Sequence, residues 1–103
     1  LATITSIIEQ EVVKNLIDNK GSKGFYWIGG IRADEKNFKW ITGENFSYSN
    51  WGVNQPDNFG GIENVAAIDG LWNDISEFGG KGFYDIKNSG FVCEWENYDD
   101  IKI

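Results

Sequence analysis

Only one stretch of this chain repeats its apolar residues at a helical interval, and that limits what the remainder can build. Ile7, Ile8, Val12, Val13, Leu16 and Ile17 form a broad stripe within residues 6–19, with Ser6 placed to cap the first turn and Glu9 three residues on to complete a capping box. The Gly- and Lys-rich run of residues 19–24 ends the helix. From Phe25 the pattern breaks into short aromatic and β-branched runs: Phe25 to Ile28, Phe38 to Ile41, Val65 to Ile68 and Gly90 to Glu94. They are separated by stretches with Gly, Asn and Asp, which predicts antiparallel strands. Residues 43–61 and 76–89 carry turn formers and scattered aromatics with no sustained period, and irregular segments of that length are where function concentrates. One helix, one small antiparallel sheet and two long loops make an α+β domain, and 103 residues make one domain at most.

Irregular loops need anchors, and the five Trp, seven Phe and four Tyr supply large buried area from few residues. Trp27, Trp40, Trp51, Trp72 and Trp95 are accordingly read as packing residues. With 16 acidic against 9 basic residues the net charge is -7, which repels phosphate backbones and anionic lipid surfaces and excludes nucleic acid as a partner. The chain has no His and a single Cys, so serine-type triads, imidazole proton shuttles and zinc cages of His or thiolate are ruled out. Metal chemistry is left to oxygen ligands, which favour calcium. No run approaches the roughly 20 apolar residues that cross a bilayer, and no basic segment precedes an apolar one at the N-terminus. A soluble, processed or excised chain without membrane insertion is expected.

Oxygen-bearing side chains cluster around the one proline and again after Trp72. Gln55, Asp57, Glu63, Asn73 and Asp74, brought together from two loop clusters, offer five side-chain oxygens, three of them from carboxylates, against the six to eight that calcium takes. The deficit leaves positions that a ligand's hydroxyl groups can fill. An X-Pro bond adopts cis at modest cost, and a cis Gln55-Pro56 bond is predicted here, turning the flanking residues toward one point. Taken alone, Gln55-Pro56-Asp57-Asn58 reads more readily as an ordinary surface turn.

The tetrapeptide does not stand alone. Leu1-Ala2-Thr3-Ile4, Trp27-Ile28-Gly29-Gly30, Tyr48-Ser49-Asn50-Trp51, Gln55-Pro56-Asp57, Glu63, Trp72-Asn73-Asp74 and Phe91-Val92-Cys93-Glu94 follow in the order of the C-type lectin-like family, which the chain resembles over essentially its whole length. The resemblance implies that Gln55, Asp57, Glu63, Asn73 and Asp74 bind one Ca2+ and that two sugar hydroxyls complete its shell. The Gln-Pro-Asp form is the one associated with galactose-type ligands. Exchanging carboxylate and amide swaps the acceptor and donor that flank the ion and so the preferred orientation of the diol. By the same resemblance the sugar contacts come from Gln55, Asp57, Glu63, Asn73 and Phe59. Two readings of Phe59 stand side by side, a face that stacks on galactose and a buried loop anchor.

The chain also departs from the family. The inner disulfide would need Cys near Val65 and Glu77, and neither is present. Its loss could cost roughly 2–4 kcal/mol, for which Phe78, Phe83 and Tyr84 of the 76–89 segment are the expected substitute. Cys93 matches a cysteine that pairs with a helix near the start of the domain, and the first strand and helix of the fold would lie ahead of Leu1. The chain is therefore expected to be a partial domain, with Cys93 a buried free thiol. Asn58 and Asn64 stand where a second calcium position prefers acids, Asp34 and Glu35 lie in a short loop, and one ion is expected. Glu94, Glu96, Asp99 and Asp100 read as a solvated acidic edge.

The resulting expectation is an extracellular or cell-surface, calcium-dependent, non-enzymatic module for galactose-type sugars. A protein-binding adhesion or receptor-like module with a structural calcium site is the competing reading. An enzyme using Asp57 and Glu63 as an acid and base pair ranks last, because nothing in the sequence supplies the apolar wall that would raise one pKa.

Overall fold

The computed structural model describes residues 1–21, 24–76, 88–94 and 101–103. Helix α1 (Ile7–Lys20) begins at Ser6, whose side chain accepts the Glu9 backbone N–H. The Glu9 carboxylate reaches back one residue further than a capping box requires, accepting from the Thr5 amide at 3.0 Å and the Thr5 hydroxyl at 2.6 Å. The buried face is narrower than the sequence implies. It is centred on Gln10, Val13 and Ile17, flanked by Val12 and Leu16. At about 100° per residue Ile8 falls nearly opposite that centre and Ile7 on its flank, and both are exposed.

Five strands follow: β1 (Phe25–Arg32), β2 (Phe38–Trp40), β3 (Val65–Asp69), β4 (Leu71–Ile75) and β5 (Asn88–Phe91). The order β2-β1-β3-β4 is antiparallel throughout, and β5 joins the sheet parallel to β1. With β3 along one edge of β1, the other is shared: β5 pairs with Phe25, Tyr26 and Trp27, and β2 with Gly30, Ile31 and Arg32. The last strand thus starts and ends earlier than Gly90 to Glu94, and Cys93 forms only an isolated bridge to Lys102.

Between Trp27↔Ala67 and Ile31↔Val65 the register of β1 on β3 slips, so three residues of β1 face one of β3. Two of the three are glycines, for a steric reason. A Cβ on Gly30 would lie 2.9 Å from the Ala66 Cβ, and one on Gly29 would lie 3.0 Å from the Ala2 carbonyl. A bulge re-aims the residues beyond it, and beyond this one lies Arg32.

Residues 71–75 form a strand rather than the loop expected around Asn73 and Asp74. Asp69-Gly70, with Gly70 at φ +75°, closes the β3–β4 hairpin, and Asp-Gly between two β-forming runs is its sequence signal. Trp72 is buried and meets Trp40, Phe46, Tyr48 and Trp51 edge-on, with ring centroids 5.6–6.1 Å apart. Trp40 is buried as expected, while Trp27 and Trp51 are half-buried at the core's margin. Gln10, in α1, lies 2 % exposed. It accepts from Trp72 Nε1 at 2.8 Å and donates to the Gly70 carbonyl at 2.7 Å, which locks the helix to the hairpin that carries Asn73 and Asp74.

Two further expectations are corrected. Glu94 is not a solvated edge residue: its carboxylate accepts from Thr3 N at 2.7 Å and Thr3 Oγ1 at 2.8 Å, tying the two ends of the described chain together. Cys93 is a free thiol, but half-buried rather than buried. Phe78, Phe83, Tyr84, Trp95, Glu96, Asp99 and Asp100 lie outside the described residues.

Candidate functional site

Residues 52–64 form an irregular loop that returns over the end of β4. Gly52 N donates to the Trp72 carbonyl at 2.8 Å and Trp72 N to the Asn50 carbonyl at 2.8 Å, which fixes the start of the loop on the hairpin. Asn54 and Asn58 take positive φ, 62° and 48°, as short amide side chains tolerate. The Gln55-Pro56 peptide is cis, as expected. Phe59–Gly61 form a single 3-10 turn.

This loop brings the five expected residues together. One carboxylate oxygen from each of Asp57, Glu63 and Asp74 lies within 4.8 Å of the others. The side-chain amide of Gln55 lies against this cluster, and with its nitrogen turned inward it donates to Asn73 Oδ1 at 2.5 Å, Asp74 Oδ1 at 2.9 Å and Asp57 Oδ1 at 3.2 Å. Carboxylates at such spacing repel one another unless something positive sits between them. Either an amide nitrogen swings in, or a cation does. Oxygens around one calcium at 2.3–2.6 Å stand about 3 Å apart, and this donor set of amides and carboxylates has the hardness that ion requires. The residues present fit calcium.

The rest of the loop holds those oxygens in place. Asp74 is fully buried, and its two carboxylate oxygens accept from Asp57 N at 3.0 Å and Asn58 N at 2.7 Å. Burial pushes its carboxyl above the ordinary aspartate range. The amides of Asp57 and Asn58 oppose the shift, the Asp57 charge adds to it, and Arg32 opposes it. Glu63, 4 % exposed, accepts from Phe59 N at 2.9 Å, while its own amide donates to Asn58 Oδ1 at 3.1 Å. Phe59 is 43 % exposed, which removes the buried-anchor reading. A cleft of about 400 Å³, lined by Glu35, Lys36, Pro56, Asp57 and Asn58, opens alongside. Its far wall is the 34–37 turn. There Asn37 Nδ2 and the amides of Lys36 and Asn37 donate to the Asp34 carboxylate and hold it below the usual range.

The sequence reading missed one residue of this neighbourhood. The Arg32 guanidinium contacts Asp74 Oδ2 at 2.6 Å with both side chains almost fully buried, 9 % and 0 % exposed. It was legible as the only Arg in the chain, standing at the end of an apolar strand where a solvated charge is out of place.

The fold is a small α+β domain that brings two amides and three carboxylates together where the 52–64 loop meets β4. The lectin C-type domain family matches residues 1–94, and the chain belongs to it. Perlucin from Haliotis laevigata is 30% identical over 102 residues, covering 93% of this chain and 61% of perlucin. Asialoglycoprotein receptor 2 of Rattus norvegicus is 37% identical over 83 residues, 72% of this chain and 26% of the receptor. The crystal structure of the C-type lectin CEL-I from Cucumaria echinata superposes with a TM-score of 0.67 at 32% identity, covering 74% of this chain and 59% of CEL-I. The chain thus spans less than two thirds of each of these relatives. Membership of the lectin C-type domain family makes this domain a lectin-type module rather than an enzyme.

Proposed function

We propose that this domain binds carbohydrate through one calcium ion held by Gln55, Asp57, Glu63, Asn73 and Asp74, and that it prefers galactose-type sugars in an extracellular setting. The observation that carries the reading is the convergence of one carboxylate oxygen from each of Asp57, Glu63 and Asp74 within 4.8 Å of the others, two of the three residues being buried. When bound, the ion would neutralise that cluster and accept two vicinal hydroxyls of a sugar. Millimolar external calcium suits such loop sites.

The chain's own residues supply orientation. With its amide oxygen turned onto the ion, Gln55 would present its NH2 as a donor, and Asp57 across Pro56 an acceptor, an order that resembles the galactose-type members. Glu63 and Asn73 make the corresponding acceptor and donor pair. Phe59 gives an exposed ring for the apolar face of the sugar. One relative is named as a receptor for asialoglycoproteins, which agrees with a glycan ligand. Two hydroxyl contacts and one stacking face bury little area, so a single site should bind a monosaccharide at about millimolar Kd.

Titrating galactose and mannose into the protein, with calcium and with chelator, tests this. Galactose binding that vanishes on chelation and exceeds mannose binding is the expected result. Equal binding with chelator would overturn calcium dependence, and tighter mannose binding would overturn the sugar preference. A glycan array with no calcium-dependent signal would favour a protein partner instead.

A further inference from the structure

We infer that Arg32 is a positioning residue that holds the calcium site assembled before calcium arrives, an inference that rests on the calcium reading above. Its guanidinium is spread over three segments of chain. Nη2 donates to Asp74 Oδ2 at 2.6 Å and to the Glu63 carbonyl at 2.9 Å, Nε donates to the same carbonyl at 3.1 Å, and Nη1 donates to the Glu35 carbonyl at 2.8 Å. The Phe38 ring lies 4.8 Å beneath Cζ and fixes the plane of the fork. The strand, the 34–37 turn, the 58–63 loop and the Asp74 carboxylate are thus set relative to one another by one side chain.

The contacts divide Asp74 between two tasks. Its Oδ2 is taken by Arg32 and Asn58 N, and its Oδ1, which accepts Asp57 N, faces the Gln55 side-chain amide and the centre of the cluster. Arg32 therefore lies behind the carboxylate and leaves the calcium-facing oxygen in place. It also sets the local charge. Asp57, Glu63 and Asp74 contribute three negative charges and Arg32 one positive, so the assembly carries two net negative charges, the complement of one divalent ion. A buried carboxylate with no cation beside it would be driven to protonate or to swing out to water. With Arg32 in place the loop keeps its form in the calcium-free protein, and ion binding need not order it. Lysine cannot substitute, because a single ammonium does not span acceptors on three segments.

The test compares wild type, Arg32→Met and Arg32→Lys by amide hydrogen exchange in chelator and by calcium titration of each protein. In chelator, the Asp57 and Asn58 amides of Arg32→Met should exchange at least tenfold faster than in wild type, with the amides of β3 unchanged. Calcium affinity should fall at least tenfold in both variants. Arg32→Lys keeps the charge and the packing stem, so it still reads the fork if Arg32→Met fails to fold. Protection of Asp57 and Asn58 retained in the variants, loosening that extends equally to β3, or calcium binding as tight as or tighter than wild type would each overturn the inference. A wild type that binds no calcium would remove the calcium reading itself, while the chelator arm would still report whether Arg32 organises the loop.

Discussion

Asp74 carries two opposed demands, since it must be buried to hold the loop and ionised to meet a cation. Removing it as Asp74→Ala strips Arg32 of its carboxylate and leaves the Asp57 and Asn58 amides without an acceptor. Breaking a buried pair in this way costs about 3–5 kcal/mol, which urea unfolding in chelator would read. The same burial sets a pH dependence. The folded calcium-free state holds the Asp74 proton more tightly than the unfolded chain does, so the penalty for its charge is present above the raised folded pKa and relieved as pH falls through it. Calcium requires the carboxylate, so affinity should fall with pH and begin to do so above the ordinary aspartate value of 3.8. Calorimetry across pH 7 to 4 checks this; constant affinity over that range would contradict it. Phe59→Ala should weaken galactose binding several-fold and leave calcium affinity unchanged, as expected of an exposed ring without a metal-binding oxygen.

At the scale of elements, the site is a loop laid over a hairpin, and the hairpin is held by the helix. Gln10→Leu would leave Trp72 Nε1 without its partner in the core, while the Gly70 carbonyl would keep only the longer bond from Asn50 Nδ2 at 3.3 Å. An unsatisfied buried group costs about 1–3 kcal/mol, so chemical unfolding should show a loss in that range, with weaker calcium binding if the hairpin shifts. The helix, the sheet and the 43–61 loop were legible because each declares itself locally: a capped apolar stripe, aromatic runs between Gly and Asn, turn formers without period. The cis Gln55-Pro56 bond and the meeting of residues 55, 57, 63, 73 and 74 were legible from ordered motifs. Strand β4 was not, since Asn73 and Asp74 carry loop-forming side chains and only their pairing with Ala67 and Ala66 makes them a strand. Arg32 and Gln10 escaped for a related reason. A polar residue on an apolar element looks solvated in one dimension, and its buried partners lie 42 and 62 residues away.

For the whole molecule, an N-terminal helix, a five-stranded sheet and a loop folded over β4 concentrate negative charge at one place on an acidic protein. One weak site per domain makes avidity depend on the number of copies presented together; immobilised galactose at high density should therefore retain a multimeric form far longer than a monomer, a difference measurable by dissociation rate. All of this depends on the oxygen cluster being a cation site. The direct measurement is calorimetric titration of calcium into chelator-stripped protein and into its Asp57→Asn variant. One ion per chain is expected for the wild type, and a loss of at least tenfold in affinity for the variant. No binding heat, a stoichiometry of two, or an unchanged affinity in Asp57→Asn would contradict it.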